Sequence, residues 1–210
     1  MITRRKLAGS LTATSIALAT AGKAVLESGQ ALAQVAPPPR PTGHFDPKGK
    51  APSRFTIEAL RQARAALPFA DQRDFEEQKR GFIAAMPESK IMADAGHVAW
   101  DMDRFKFLLE QPDYDSVHPS LKRISVLNMN YGLYEVVPGI YQVRGFDLAD
   151  ISFVRGKTGW IVIDPLTATE TARAALKLFR QHVGKDLPIK AVIYSHSHGD
   201  HWGGVRGVVD

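Results

Sequence analysis

Two short apolar runs joined by a helical stripe leave little choice of fold between residues 160 and 201. Trp160-Ile161-Val162-Ile163 is continuously apolar and ends at Asp164, and Ile189 to Tyr194 is a second run with β-branched residues. Such runs read as buried strands. Between them Ala172, Ala175, Leu176, Phe179 and Val183 recur at helical spacing and stop at Gly184, the pattern of a helix packed by one stripe. Thr167 and Glu170 stand ahead of it at capping-box spacing. This is a β-α-β unit, and open α/β sheets place their ligands at the C-terminal edge of the strands.

At that edge stands His196-Ser197-His198-Gly199-Asp200-His201. With 7 histidines in 210 residues, an H-x-H-x-D-H spacing arises by chance in about one chain in 2,000. In extended chain, residues two apart point the same way, so His196 and His198 can face one metal ion. Asp200 and His201 are adjacent and diverge, which suits a second ion nearby. Gly199, Gly203 and Gly204 let the backbone turn tightly. Imidazole with carboxylate suits zinc best, with iron or manganese as alternatives. Two such cations would activate a water. His44, His97, His118 and His182 stand singly and are assigned no role. With no cysteine, a disulfide framework, a thiolate zinc finger and a cysteine nucleophile are all excluded.

Upstream, Leu133 to Val137 and Ile140 to Val143 read as strands around a Pro138-Gly139 turn, and Ile151 to Val154 alternates as a further strand. Residues 54–128 read mainly as short helices with turns. One runs through Ile57, Leu60, Ala63 and Leu67 with Thr56 as its cap, and a charged one runs from Asp71 to Arg80. Prolines 37, 38, 39, 41, 47 and 52 make residues 34–53 an extended arm.

The first 33 residues read as an address. Arg4, Arg5 and Lys6 precede an uncharged run from Leu7 to Gly22, too short for the ~20 residues of a membrane-spanning helix. Ala31-Leu32-Ala33 is a small-x-small cleavage site. Thr3-Arg4-Arg5-Lys6-Leu7 resembles a twin-arginine signal, so the mature protein is expected in the periplasm or outside the cell. Of the net charge of +5, residues 1–33 supply +3. The near-neutral remainder argues against a nucleic-acid partner.

The His196–His201 arrangement resembles the metallo-β-lactamase superfamily. Gly139 to Leu148, Thr158 to Leu166 and Tyr194 to Val209 are similar to its alkyl sulfatases, as are Leu67 to Asp71, Asp74-Phe75-Glu76 and His118 to Leu121. The resemblance implies an α/β fold, the αββα sandwich, with its first half in residues 129–210 behind a helical extension over 54–128. It implies two zinc ions, one on His196 and His198 and the other on Asp200 and His201. Asp164 is expected to support the site from behind without ligating. The implied reaction is hydrolysis of an alkyl sulfate, a small-molecule substrate, to alcohol and sulfate by a metal-activated water. The family's remaining ligands and its dimerisation region would lie beyond Asp210, so a homodimer is expected of the full-length protein alone. The 210-residue chain itself is expected to be inactive and aggregation-prone. Competing readings are a lactonase or thioesterase of the same superfamily, a nuclease, or a non-catalytic metal-binding remnant.

Overall fold

The computed structural model describes residues 49–185 and 187–209. The expected leader and most of the Pro-rich arm lie outside the described residues. Residues from Ala51 onward make one unit. Its strands are β1 (Phe82–Ala84), β2 (Lys90–Met92), β3 (Val98–Asp101), β4 (Gly132–Val137), β5 (Ile140–Arg144), β6 (Ile151–Arg155), β7 (Trp160–Ile163) and β8 (Ile189–Ile193). Its α-helices are α1 (Arg54–Ala66), α2 (Arg73–Glu77), α3 (Pro119–Leu127) and α4 (Thr169–His182), with a 3-10 helix over Met102–Leu109.

Six strands form one sheet in the order β1-β4-β5-β6-β7-β8, antiparallel except for the parallel β7–β8 pair. Gly139 takes a φ of +84° in the expected turn between β4 and β5, a conformation that glycine adopts without penalty. The β7–β8 connection runs through α4, as a parallel pair requires. One face of the sheet buries Phe153, Trp160 and Val162 completely against Ala172, Ala175 and Phe179 of α4. The small alanines let the helix approach. The Phe179 ring then stacks on Phe153 at 4.0 Å and stands edge-on to Trp160 at 4.8 Å. Leu178 is buried and Leu176 half-buried, so the helical stripe is turned slightly from the one read in the sequence. On the opposite face of β7, Ile161 and Ile163 are half-buried, while Ile193 of β8 is exposed.

Residues 54–128 hold more strand than their sequence suggests. β1 joins the main sheet through Phe82↔Tyr134 and Ala84↔Leu133, and β2 and β3 form a separate antiparallel pair. Strands of three or four residues are too short to display a period. β1 also depends on a backbone feature. Gly81 has φ +74°, and a Cβ there would lie 2.0 Å from the Glu135 carbonyl oxygen. The charged segment is helical only over Arg73–Glu77, because Asp71 turns back to accept from the Arg73 amide at 3.0 Å and pairs with the Arg73 guanidinium.

Two expected caps are replaced. Ser53 caps α1, accepting from the Thr56 amide at 3.1 Å. α4 starts after Ala168 without a side-chain cap. Thr167 is drawn to the Asp147 carboxylate, and Glu170 accepts from the Asp94 amide of the β2–β3 turn at 3.1 Å. Tertiary partners have taken both halves of the capping box. Among the described residues no helix is long and apolar enough to cross a membrane.

Candidate metal centre

The His-rich loop leaves the end of β8 and is closed by its own backbone. His201 N–H donates to the His198 carbonyl at 3.1 Å and Trp202 N–H to the Gly199 carbonyl at 3.3 Å, which makes a 3-10 turn over Gly199–His201, and Gly203 N–H also donates to the Gly199 carbonyl at 2.8 Å. Trp202 Nε1 donates to the Ser197 carbonyl at 3.0 Å. The turn folds His201 back on the strand end, so its ring lies 4.0 Å from that of His196, nearer than His198 at 4.6 Å. Asp200 Oδ2 is 3.3 Å from His201 Nε2. The three imidazoles and Asp200 are therefore neighbours. Among the described residues no three of these donors are aimed at a common point.

Asp164, at the end of β7, organises this loop. Its Oδ1 accepts the Ser195 amide at 2.7 Å; its Oδ2 accepts the Ser195 hydroxyl at 2.6 Å and lies 2.8 Å from His201 Nδ1. Partial burial works against its ionisation. The Ser195 hydroxyl and amide and the His201 ring outweigh that penalty, and the carboxyl is held below its ordinary value.

The proton positions follow from these contacts. Ser195 Oγ also lies 2.9 Å from His196 Nδ1. A hydroxyl has one hydrogen, and here it goes to the carboxylate; Ser195 can then only accept, so His196 carries its proton on Nδ1. His201 likewise directs an Nδ1–H at Asp164. In both rings Nε2 is the nitrogen outside this relay and the one left to face a metal, that of His201 lying beside Asp200 Oδ2. The donor chemistry thus fits a divalent cation. Ser195 was missed by sequence reasoning, although it directly precedes His196; nothing in its identity shows which way the hydroxyl turns.

The backbone that carries Asp164 is strained. Asp164 and Leu166, flanking Pro165, have φ of +55° and +63°. Left-handed conformations cost about 1–2 kcal/mol for residues other than glycine and persist only where the surroundings over-determine them. Leu166 is anchored by complete burial. Its carbonyl accepts from Gly204 N–H at 2.8 Å. A Cβ at Gly204 would lie 2.2 Å from the Pro165 carbonyl oxygen, so the loop after β7 and the loop after β8 lie flush. Of the histidines given no role, His118 caps α3, its Nδ1 accepting from the Ser120 amide at 3.2 Å.

A cavity of about 250 Å³ lies outside the His-rich loop, with Trp100, Met102, Phe105, Met129 and Arg144 in its wall. Arg144 donates from Nε to Gln142 at 2.7 Å and from Nη1 to the Gln78 carbonyl at 3.2 Å, and stacks over Tyr134.

Residues 144–210 match the metallo-beta-lactamase superfamily. Over 144 residues the chain is 50% identical to an (R)-specific secondary-alkylsulfatase of Pseudomonas sp, covering 69% of this chain and 21% of that protein. Over 145 residues it is 48% identical to a linear primary-alkylsulfatase of Pseudomonas sp, with the same coverage of 69% and 21%. The solved structure of the stereoselective inverting sec-alkylsulfatase Pisa1 from Pseudomonas sp. superposes with a TM-score of 0.67 at 48% identity, covering 77% of this chain and 25% of that one. The chain thus spans about a fifth to a quarter of the length of these relatives. The expected α/β fold is the fold observed, and over the matched residues the chain is similar in sequence and structure to alkylsulfatases and to the metallo-beta-lactamase superfamily.

Proposed function

We propose that the protein carrying this chain hydrolyses alkyl sulfate esters to alcohol and sulfate, and that the His196–His201 loop supplies ligands for two zinc ions. The observation that carries this reading is the relay from His196 and Ser195 to Asp164 and from His201 to Asp164, in a chain 50% identical over 144 residues to an alkylsulfatase. His196 and His198 would hold one ion, and Asp200 and His201 the other. When bound, zinc lowers the pKa of a coordinated water and offers positive charge to an anionic ester. The chain's own contribution is orientation. Asp164 keeps the Nδ1 proton on His201 directly and on His196 through Ser195, so each ring meets the metal as a neutral donor.

The near-neutral charge beyond residue 33 and the small-molecule substrates of the named relatives favour a soluble ester over nucleic acid. Arg4-Arg5 and Ala31-Leu32-Ala33 support export to the periplasm. The full-length protein is expected to pair as a homodimer.

The test uses the full-length protein with dodecyl sulfate as probe. Sulfate release should stop on exhaustive chelation, return with zinc, and be lost in the His196→Ala/His198→Ala double variant. Undiminished turnover in the chelated enzyme or in that variant overturns the metal reading. Metal-dependent hydrolysis of lactones or thioesters with no sulfate release overturns the substrate. Export is checked by cell fractionation, with Arg4→Lys/Arg5→Lys expected to retain the protein in the cytoplasm.

A further inference from the structure

Asp147 lies in the loop between β5 and β6, remote in sequence from the His-rich loop, and is 7% exposed. Its two carboxylate oxygens are fully used. Oδ2 accepts the Thr167 amide at 3.0 Å and lies 2.5 Å from the Thr171 hydroxyl. Oδ1 accepts the Thr167 hydroxyl at 2.7 Å and the Leu148 amide at 2.7 Å. Thr167 is thus held at both its backbone and its side chain.

What Thr167 fixes is the strained loop. It directly follows Asp164-Pro165-Leu166, whose left-handed residues need an external hold. Upstream of it, Asp164 contacts Ser195 and His201. Beside it, a Cβ on Gly203 would lie 2.4 Å from the Thr167 carbonyl oxygen. The His201 ring and the backbone just after it are therefore both placed against a segment that Asp147 pins.

We propose that Asp147 is a positioning residue for the metal centre: through Thr167 it holds the Asp164–Leu166 turn in the shape that aims Asp164 at Ser195 and His201. The metal part of this statement rests on the proposed function; the effect on the Asp164 contacts does not.

The experiment compares the full-length protein with Asp147→Asn, which keeps the volume but brings donors against donors, with Thr167→Val, which removes one hydroxyl, and with Thr167→Ser, which retains it. Zinc affinity is measured by competition with a chelating dye, using the metal alone. Amide exchange is followed at Ser195 and Gly204, with the amides of β5 as internal reference. Zinc affinity should fall about 10- to 100-fold in Asp147→Asn and Thr167→Val and stay at the wild-type value in Thr167→Ser. Exchange at Ser195 and Gly204 should quicken at least about tenfold in the first two variants while β5 holds its protection. Wild-type zinc affinity and wild-type exchange in Thr167→Val overturn the proposal, as does equal loss of protection in β5, which is the signature of mere destabilisation. If Asp147→Asn does not fold, Thr167→Val decides. If the unaltered full-length protein binds no zinc, the metal reading fails, and the exchange arm still tests the role of Asp147.

Discussion

The Ser195 hydroxyl links the His196 ring to Asp164. In Ser195→Ala the Asp164–amide contact survives, but His196 loses the acceptor that holds its Nδ1 proton. The imidazole ¹⁵N spectrum should show His196 as one Nδ1–H tautomer in the parent chain and a mixture in the variant, with zinc affinity lower by about tenfold. An unchanged tautomer would remove Ser195 from the relay. Asp71 offers a second test at this scale. The side chain and amide of Arg73, helped by the charge of Arg123, bring its carboxyl down to about 2. A depressed carboxyl contributes stability above its ordinary value near 4, and that contribution is lost as pH falls from about 4 through about 2. Carboxyl ¹³C titration should place Asp71 near the lower figure, and Arg73→Gln should return it toward the ordinary value. Both ends of the contact are solvent-facing, so added salt should weaken it as well.

Among the elements, α4 and β7 hold the site in place, because Asp164 and Thr167 both lie in the short connection between them. Phe179 is fully buried against Phe153 and Trp160. Phe179→Ala should cost about 3–5 kcal/mol in urea-induced unfolding, and a loss below 1 kcal/mol would mean that α4 does not carry this core. Gly204→Ala forces a Cβ onto two backbone carbonyls, those of Pro165 and Ala168. It should lower stability by about 1–3 kcal/mol and show in the same measurement. The β-α-β unit and the strands around Pro138-Gly139 were legible in the sequence because each carries enough residues to display its period. β1, β2 and β3 were not, since three or four residues show none, and the pairing of β1 is decided by a distant partner, Tyr134 of β4. The caps of α1 and α4 were misread for a related reason. Ser53 and Thr56 both suit a cap, and Thr167 has a carboxylate from another loop as a stronger partner. Of the site, spacing singles out His196, His198, Asp200 and His201 as candidate donors, and the family resemblance points to Asp164. Ser195, Thr167 and Asp147 were not legible, because their roles are relations between loops.

For the molecule as a whole, β8 is the outer strand of the sheet among the described residues, with Ile193 and Tyr194 about half exposed at its end. An open, apolar strand edge is a template for pairing with another chain. Sedimentation velocity of the 210-residue chain should reveal concentration-dependent association that Ile193→Lys reduces; a monomer at all concentrations would show that this edge is already protected. The flush contact between the loop after β7 and the glycines after β8 also bears on protein engineering. A designer who grafts His196 to His201 onto another scaffold transplants the donors without the parts that choose their tautomers. A faithful graft must import the Asp164–Thr167 turn and the glycine pair that nests against it, so the portable unit is a pair of interlocked loops.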